Sequence, residues 1–454
     1  MDKLKNLFSS PELRKRLLFT LLMLFVYRFG VHVSVPGVNA EALTTALKKN
    51  AGGLFDVVDL FSGGALKKFS VFALGITPYI TASIVLQLMG AVVPRLDEMQ
   101  KKEGEAGREK INQWTRYLTV GLAFVQGFGI ASLAQSQGLD VVANPGNGFR
   151  LMCAFSLMVG SLFIMWIGEQ ITERGVGNGI SLLIFSGIVA GLPRGLWTLG
   201  VMFRDSLNPS LVGKAPVTGI LILLVAAMVV ILLVVVMVES AYRRLPIHYA
   251  RRADSAGMSS QRSSYMPLKV NTSGVMPVIF AGSVIFFPAT IASFTHWEWL
   301  AKASAYLNYQ SHFWSYTAIF VSMTVFFAFF YTSIIFNPDE TADNMKKSGG
   351  YIPGIRPGKE TSIYLDGILS KLTFAGAVYL AAVSIVPLVI LSGIPGINFY
   401  YGGTSLLIVV GVAIDTVSQV EAYQVMHRYD GFTESGRVRG RVRRPAGTPT
   451  GKPA

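Results

Sequence analysis

The sequence predicts an all-α polytopic membrane protein with ten transmembrane helices. Of its 454 residues, 51% are hydrophobic and 15% are charged, whereas about a quarter of the residues in a soluble protein carry charge. Apolar runs close to the roughly 20 residues that an α-helix needs to cross a bilayer recur along the whole chain. The ten predicted spans are Leu17–Val35, Phe69–Gly90, Tyr117–Leu133, Leu151–Gly168, Ile180–Leu196, Val217–Val238, Val275–Phe294, Tyr316–Phe336, Leu372–Leu391 and Thr404–Val420.

Basic residues are distributed unevenly between the two sides that these spans define. With both termini placed inside, the inner segments hold thirty of the 40 Lys and Arg residues, the outer segments hold nine, and Arg28 lies within the first span. Cytoplasmic loops of membrane proteins carry such an excess of Lys and Arg. We therefore expect both termini in the cytoplasm, and the net charge of +14 reflects topology rather than a nucleic-acid-binding domain.

The spans divide the chain into four segments. Residues 1–16 form a basic cytoplasmic N-terminal segment, residues 17–202 hold the first five spans, and residues 203–424 hold the last five. The tail at 425–454 is basic and rich in Gly and Pro, a composition that predicts a disordered cytoplasmic segment.

Two large cytoplasmic loops lie in the second half, at 241–274 and 337–371. The first loop is basic and poor in acidic residues. The second contains YIPGIRPGKET, in which the Pro and Gly residues predict an ordered turn that presents Arg356 at its tip.

A short internal repeat relates the two halves. GISLLI opens the fifth span at 179–184, and GTSLLI opens the tenth span at 403–408. The fifth span enters the membrane from the inside and the tenth from the outside, which predicts two five-helix halves related by a two-fold axis in the membrane plane. A chance match of six residues in an apolar chain remains the alternative.

A short amphipathic helix precedes the second span. It covers residues 54–66, two aspartates interrupt its apolar residues, and Ser62-Gly63-Gly64 ends it. This helix is too short to cross a bilayer and therefore needs a wet or protein-lined cavity.

The second and fifth spans each carry two isoleucines four residues apart, so that each pair lies on one helix face. The pairs are Ile76 with Ile80 and Ile180 with Ile184. Spacing alone favours ordinary helix packing for both pairs.

Polar residues predict a weak seam between the second and seventh spans, because polar side chains in membrane helices mostly bridge neighbouring helices. They are Thr81, Ser83 and Gln87 in the second span, and Asn271, Thr272, Ser273 and Ser283 around the seventh.

Apart from Arg194, which interrupts the outer end of the fifth span, two charged residues lie within the spans, namely Arg28 and Asp415, and a third, Glu169, directly follows the fourth span. Each lies away from the midplane, and the sequence shows no evident partner for any of them. An ion-coupled small-molecule transporter, which is the alternative function, usually places paired ionisable groups near the midplane. Structural pairing between helices is therefore favoured over a proton relay.

No enzyme signature is present. The five His residues are scattered without metal-ligand spacing, and no phosphate-binding loop with a GK[ST] ending occurs. We expect neither a cofactor nor a metal, and any nucleotide-driven work must come from a partner.

Long motifs in both halves identify a family. They are SGGAL (62–66), FALGITPYITASI (72–84), KKEGEAGREKI (101–111), GEQITERGVGNGIS (168–181), PLKVN (267–271), FPATIAS (287–293), FNPDETADNMKKSG (336–349), PGIRPG (353–358) and FYYGGTSLLIVV (399–410). From about Leu13 to Val420 the chain resembles the bacterial SecY family, which forms the central subunit of the Sec protein-conducting channel. The GRVRGRVRR sequence of the tail is not part of the family pattern.

The resemblance implies an hourglass-shaped, passive channel in the bacterial plasma membrane. Unfolded secretory polypeptides would cross it, and transmembrane segments would leave sideways into the bilayer. The implied partners are the small subunits SecE and SecG, the motor ATPase SecA, the ribosome, signal peptides, unfolded preproteins and membrane lipids.

The resemblance also assigns roles to individual residues. Residues 54–66 would form a plug, with Phe55, Val58, Phe61, Ser62, Gly63 and Gly64. The pore ring would be Ile76, Ile80, Ile180, Ile184, Ile279 and Ile408. The lateral gate, between the second and seventh spans, would carry Thr81, Ser83, Gln87, Asn271 and Phe287. The motor or ribosome contact would be Arg243, Arg244, Arg251, Arg252 and Arg356.

Overall fold

The computed structural model describes residues 11–39, 42, 59, 62–96, 99, 104–136, 141–142, 144–206, 215–249, 263–292, 299, 302, 306–307, 312–392 and 403–435. Its principal elements, in chain order, are α1 (Pro11–Gly30), α2 (Thr77–Val92), α3 (Gly104–Ser136), α4 (Asn147–Arg174), α5 (Gly179–Ser206), α6 (Ala215–Glu239), β1 (Tyr242–Tyr249), β2 (Ser263–Lys269), α7 (Met276–Ala292), α8 (Phe313–Ile335), α9 (Pro338–Lys347), β3 (Gly350–Tyr351), α10 (Lys359–Ser392) and α11 (Gly403–Ser435). Ten of these helices coincide in order with the ten predicted spans, and α9 lies in the second large loop.

Six helices in the described part of the chain are long and apolar enough to cross a membrane, judged by length and composition alone. They are Gly104–Gln135, Asn147–Arg174, Gly179–Trp197, Phe313–Lys347, Lys359–Pro387 and Gly403–Val425. Two shorter apolar helices, Val225–Glu239 and Met276–Ile285, lie within α6 and α7. This pattern agrees with the predicted membrane architecture.

The second span differs from its prediction. We expected one apolar helical run over Phe69–Gly90, but α2 begins at Thr77, and residues 69–76 form turns. Pro78 lacks a backbone N–H and therefore suits the first turn of a helix rather than its interior. Gly75, just before the helix, has a φ of +56°, which ends any regular helix there.

The turns before α2 are buried against α1 and α4. The backbone N–H of Val35 donates to the carbonyl of Phe69 (2.9 Å), and the N–H of Val71 donates to the carbonyl of Val33 (2.9 Å). Non-helical backbone is tolerated at membrane depth only where protein surrounds it, and the Phe69 side chain is 1% exposed.

Small residues of α4 allow the turns to approach this helix closely. A methyl group added at Gly160 would overlap the carbonyl oxygen of Val71. The neighbouring Ser161 hydroxyl donates to the carbonyl of Gly75 (3.0 Å). The last turn before α2 is thereby fixed to the middle of α4.

The two copies of the repeat occupy equivalent contacts in the two halves. Gly179 opens α5 against α4, where an added methyl would overlap the carbonyl oxygen of Gly168. Gly403 opens α11 against α10, where an added methyl would overlap the carbonyl oxygen of Val383. In each half, the first glycine of the motif permits the last two helices to cross at backbone contact.

The repeat copies run in opposite directions. The N–H of Gly177, just before α5, donates to the side-chain oxygen of Gln419 in the middle of α11 (3.0 Å). The start of the first copy therefore lies beside residues that follow the second copy in α11, as expected for two helices that run in opposite directions. This arrangement agrees with inverted halves and speaks against a chance match.

A three-stranded sheet of order β2-β1-β3 occupies the two large loops predicted to be cytoplasmic, where we expected only loops and turns. Strand β1 pairs antiparallel with β2, from Tyr242 opposite Lys269 to His248 opposite Ser263. Leu245 and Ile247 of β1 point inward with exposures of 4% and 6%, and the residue between them is exposed. The sequence alone does not reveal this alternation, because basic residues dominate the composition of the loop.

The sheet joins α9 and α10 in one apolar cluster. Its buried members are Leu245, Leu268, Ile352, Leu365, Ile368 and Leu372. Helix α9 begins at a side-chain cap, since the Asn337 oxygen accepts from the N–H groups of Asp339 (3.1 Å) and Glu340 (3.4 Å).

The tail also departs from its prediction. Helix α11 continues to Ser435, so residues 425–435 are helical where we expected disorder. The Gly- and Pro-rich composition begins in earnest only after Ser435, and residues 436–454 lie outside the described residues.

The helix crossings at the repeat glycines are open to a direct test. Gly179→Ala and Gly403→Ala should each destabilise the protein by about 1–3 kcal/mol, because overpacking forces the backbones apart. The midpoint of thermal unfolding in nanodiscs, measured at one scan rate, reports this loss. Gly121→Ala in α3 is the matched control, since nothing lies within 4 Å of its added methyl group. Equal midpoints for all three variants would contradict the contact.

Candidate functional site

One apolar cluster brings the predicted pore ring together from four helices and the turn before α2. Five isoleucines of the predicted ring are buried members of this cluster, and the sixth, Ile180, packs against it. The buried members are Ile76, Ile80, Ile184, Ile279 and Ile408. Sequence spacing alone had favoured ordinary packing within each helix, whereas the structure joins residues far apart in the chain.

Local structure explains how each isoleucine reaches the cluster. Ile76 precedes α2, and its carbonyl accepts the N–H of Ile80 (3.1 Å), so the pair keeps helical spacing across the helix start. Ile184 and Ile408 hold the last position of the two repeat copies, with exposures of 2% and 0%. Ile279 lies in the first turn of α7. Its N–H donates to the carbonyl of Val275, which lies just before the helix (3.4 Å).

The chemistry of the cluster is that of a dry constriction. Branched apolar side chains at a narrow waist disfavour water and ions, and they offer no directional contact to a particular substrate. Such a site suits a barrier rather than a binding pocket.

The described end of the predicted plug is firmly attached. Phe55, Val58 and Phe61 lie outside the described residues, whereas Ser62, Gly63 and Gly64 form a turn. The carbonyl of Gly63 accepts from the Arg28 guanidinium (2.8 Å), and the carbonyl of Ser62 accepts from the Tyr27 hydroxyl (3.3 Å). Both donors belong to α1.

The predicted lateral gate lies where α2 packs against α7. The Thr81 hydroxyl donates to the carbonyl of Thr77 (3.0 Å), and the amide of Gln87 donates to the Ser83 hydroxyl (3.1 Å), so these bonds stay within α2. Phe287 lies within α7, but its side chain is outside what the structure describes. The described polar residues of α2 therefore do not bridge to α7 by hydrogen bonds.

Asn271 also bonds elsewhere than to α2. Its amide donates to the Glu239 carboxylate at the end of α6 (2.8 Å) and to the carbonyl of Gly274 (3.0 Å), and Ser273 donates to its side-chain oxygen (3.3 Å). Asn271 and Glu239 are 2% and 8% exposed. This buried pair, which ties the start of α7 to α6, was not predicted from the sequence. The acidic residue that ends the very apolar run of α6 was the signal for it.

Each of the three charged residues singled out from the sequence has a partner in the structure. Arg28 contacts the carbonyl of Gly63, and Glu169 of α4 accepts from Arg116 of α3 (2.8 Å). Asp415 of α11 pairs with Lys269 at the end of β2 (3.1 Å). These contacts agree with pairing between elements, which is one of the two structural interpretations of these charges, the other being snorkelling.

The pair at Lys269 links the sheet to α11. Partial burial of Lys269 works against its charged form, but the Asp415 carboxylate attracts the ammonium and accepts its hydrogen bond, so the net effect raises the pKa of Lys269. Lys269 therefore remains charged throughout the neutral range.

The predicted motor or ribosome contact is partly described. Arg243 and Arg244 are exposed on β1, and the Arg244 guanidinium lies 5.0 Å from the centre of the Tyr265 ring. Arg356 is exposed on the turn after β3, as predicted. Arg251 and Arg252 lie outside the described residues.

The turn that carries Arg356 is ordered by glycines and hydrogen bonds. Gly354 and Gly358 have φ values of +82° and +108°, which favour glycine. The N–H of Ile355 donates to the carbonyl of Ile352 (3.1 Å), and the Thr361 hydroxyl donates to the carbonyl of Arg356 (2.8 Å).

Comparisons with known proteins agree with this geometry. The family model SecY matches residues 70–417. The chain is 44% identical over 435 residues to "Protein translocase subunit SecY" of Escherichia coli (strain K12), covering 94% of this chain and 96% of that protein. It is 42% identical over 435 residues to the protein of the same description from Aquifex aeolicus (strain VF5), covering 95% of this chain and 99% of that protein.

Two solved structures show the fold. One, described as "The structure of a protein conducting channel", matches with a TM-score of 0.67 and 16% identity, covering 93% of this chain and 95% of that chain. The other, "Sec61 in the Canine ribosome-channel complex from the endoplasmic reticulum", matches with a TM-score of 0.62 and 16% identity, with the same coverage. The predicted fold class, including its inverted halves, is confirmed.

The buried pair at the start of α7 generates a prediction. Asn271→Ala should destabilise the protein by about 3 kcal/mol or more, because the Glu239 carboxylate would stay buried without its donor. The midpoint of thermal unfolding in nanodiscs measures the effect. Adding Glu239→Gln should restore part of the loss, since an amide costs less to bury than a carboxylate.

Thr272→Ala is the neighbouring control for Asn271→Ala, because the Thr272 hydroxyl makes only a long contact with the Thr332 hydroxyl (3.4 Å). If Asn271→Ala and Thr272→Ala unfold at the same temperature, the pair contributes little.

Proposed function

The chain belongs to the SecY family of protein translocase subunits, and we propose that its isoleucine cluster is the pore ring of the channel. The protein is a protein-conducting channel that passes unfolded polypeptides across the bacterial plasma membrane. The observation that carries the proposal is that the six predicted ring isoleucines, from both halves of the chain, all belong to or pack against one apolar cluster.

The ring acts as a barrier that does not select sequence. Its side chains exclude water and ions while the channel is at rest. When a polypeptide passes through, the isoleucines contact the polypeptide instead of one another. The hydrophobic effect is non-directional, so these contacts form with any sequence.

The lateral gate lies between α2 and α7. Because Thr81, Ser83 and Gln87 find their described partners within α2, separation of the two helices leaves those hydrogen bonds intact. Lipid is a good solvent for the apolar surfaces that separate. A sufficiently hydrophobic segment therefore leaves sideways into the bilayer.

The channel itself supplies neither energy nor covalent chemistry in this proposal. SecA or the translating ribosome drives translocation from the cytoplasm, and SecE and SecG complete the membrane complex. Arg243, Arg244, Arg251, Arg252 and Arg356 form the cytoplasmic contact, where basic side chains suit the acidic surface of a motor or the phosphates of ribosomal RNA.

The proposed membrane topology follows from the distribution of the basic residues. Both termini lie in the cytoplasm, with the first half at 17–202, the second half at 203–424 and the plug at 54–66. The excess of Lys and Arg on the inner side supports this orientation.

An ion-coupled transporter is not supported. That function requires ionisable groups that are available to a substrate or to protons near the midplane. Glu169 instead pairs with Arg116 of α3, and Asp415 pairs with Lys269 at the end of β2.

The pore ring is tested by making it polar. Ile408→Asn should raise the resting ion conductance severalfold and allow export of preproteins with defective signal sequences, because an amide in the constriction favours water. Single-channel recording in planar bilayers and an export assay measure both effects. Val417→Asn is the control on the same helix, at a position that is 57% exposed and outside the cluster. Unchanged conductance and unchanged signal stringency in Ile408→Asn would sink the pore ring.

The cytoplasmic contact is tested by reversing one charge. Arg356→Glu should reduce motor-driven translocation about tenfold or more while the protein still inserts, because repulsion replaces attraction at the interface. Translocation of a preprotein into vesicles with purified motor measures the loss. Lys302→Glu carries the same charge change on the predicted outer side and should translocate normally. Normal translocation by Arg356→Glu would remove this residue from the contact.

A further inference from the structure

We propose that Arg28 fixes the end of the plug to α1, and that this end stays in place when the plug moves. The attached region, here called the plug anchor, comprises Asp59 and residues 62–75. The proposal deepens the proposed function and rests on it, since it concerns the part of the chain that closes the resting channel.

Arg28 makes an unusual contact for a charge in a membrane helix. A charged side chain near the bilayer interior is costly and marks a specific role. The described partner of the Arg28 guanidinium is a backbone carbonyl, that of Gly63, at 2.8 Å. Tyr27, the preceding residue, donates to the carbonyl of Ser62 (3.3 Å). Two consecutive side chains of α1 thus hold two consecutive carbonyls of the plug anchor.

The backbone of the anchor fits this place only with glycine. Gly63 and Gly64 have φ values of +67° and +87°, in the left-handed region that glycine favours. A methyl group added at Gly63 would lie 2.9 Å from the Cα of Gly187 in α5. The turn is therefore held between α1 on one side and α5 on the other.

The anchor is also closed on itself. The N–H of Gly64 donates to the carbonyl of Asp59 (2.8 Å). The Asp59 carboxylate accepts the N–H of Lys67 (3.0 Å) and pairs with the Lys67 ammonium (3.2 Å). Asp59 and Ser62 are 6% and 2% exposed, although both residues are polar. The segment therefore behaves as a folded unit that is held in place as a whole.

Arg28 is accordingly a positioning residue for the resting seal. A hydrogen bond from a charged donor corresponds to about a 10- to 100-fold change in an equilibrium constant. Loss of the guanidinium should shift the balance between the attached and detached anchor by this factor and raise the resting ion leak about tenfold or more.

Thiol labelling measures the position of the anchor directly. The only cysteine of the chain, Cys153, is buried and is replaced in a Cys153→Ala background. In that background, Ser62→Cys should react slowly with a membrane-impermeant maleimide added from the outer side. Adding Arg28→Met should accelerate labelling at least tenfold, and Arg28→Lys, which keeps a charged donor, should restore most of the protection.

Arg150→Met is the matched control, because this arginine of α4 donates to the side chain of Gln135 (2.7 Å) and does not touch the anchor. It should leave both labelling and leak unchanged. If Arg28→Met does not insert, Gly63→Ala replaces it, since the added methyl group would lie 2.9 Å from the Cα of Gly187 and 3.1 Å from a guanidinium nitrogen of Arg28 and so loosens the anchor while the charge is kept.

Labelling with a stalled secretory chain in the channel tests whether the anchor moves. In the Ser62→Cys protein that retains Arg28, the introduced thiol should be labelled as slowly with the stalled chain present as it is at rest. Fast labelling in the presence of the stalled chain would show that the anchor leaves with the plug and would overturn the proposal. Slow labelling of Arg28→Met together with an unchanged leak would overturn it as well.

The leak of Ile408→Asn, recorded in parallel, separates the two proposals. A leak in Ile408→Asn, together with slow labelling and an unchanged leak in Arg28→Met, refutes the plug anchor alone. Unchanged conductance and unchanged signal stringency in Ile408→Asn refute the pore ring, whatever Arg28→Met does.

Discussion

Burial of non-helical backbone at membrane depth is the constraint on which the rest of this structure depends. Lipid satisfies no backbone hydrogen bonds, so the turns at 62–76 need protein on every side. Helix α1 supplies hydrogen bonds and a glycine against Phe72, and α4 supplies Ser161 and the close approach at Gly160. These contacts determine where α2 begins. They therefore also determine where Ile76 and Ile80 enter the apolar cluster.

The ten spans could be predicted because each depends on a local signal, whereas the pore-ring residues follow from the family resemblance alone and stay a prediction. Apolar runs report burial or lipid exposure directly, and family motifs assign residues by position. The start of α2 at Thr77 and the sheet were missed because both depend on tertiary contacts. Residues 69–76 are as apolar as a helix interior, and only their fit against α4 reveals turns. In β1, the alternation of Leu245 and Ile247 is short and lies among arginines.

The partners of the charged residues were missed for a related reason. Arg116 and Glu169 lie 53 residues apart in the sequence, and Lys269 and Asp415 lie 146 apart. No periodicity connects such pairs. A charged side chain within a span is costly unless it is paired, and this rule predicted that partners exist. Only the packing of α3 on α4 and of the sheet on α11 identifies those partners. For Arg28 the partner is a carbonyl, which no pattern of opposite charges could have indicated.

The distribution of hydrogen bonds indicates where the resting state gains its stability. The polar residues of α2 that face the gate bond within their own helix, so parting α2 from α7 breaks no described hydrogen bond between them. Apolar contacts between membrane helices are readily exchanged for lipid. A gate of this kind contributes little to closure. The seal must therefore depend on interactions that lipid cannot replace. In the proposed channel, the isoleucine cluster would exclude water at the waist, and the bonds from Tyr27 and Arg28 to the plug anchor tie the end of the plug to α1. A channel organised in this way can open sideways at low cost and still remain closed to ions at rest.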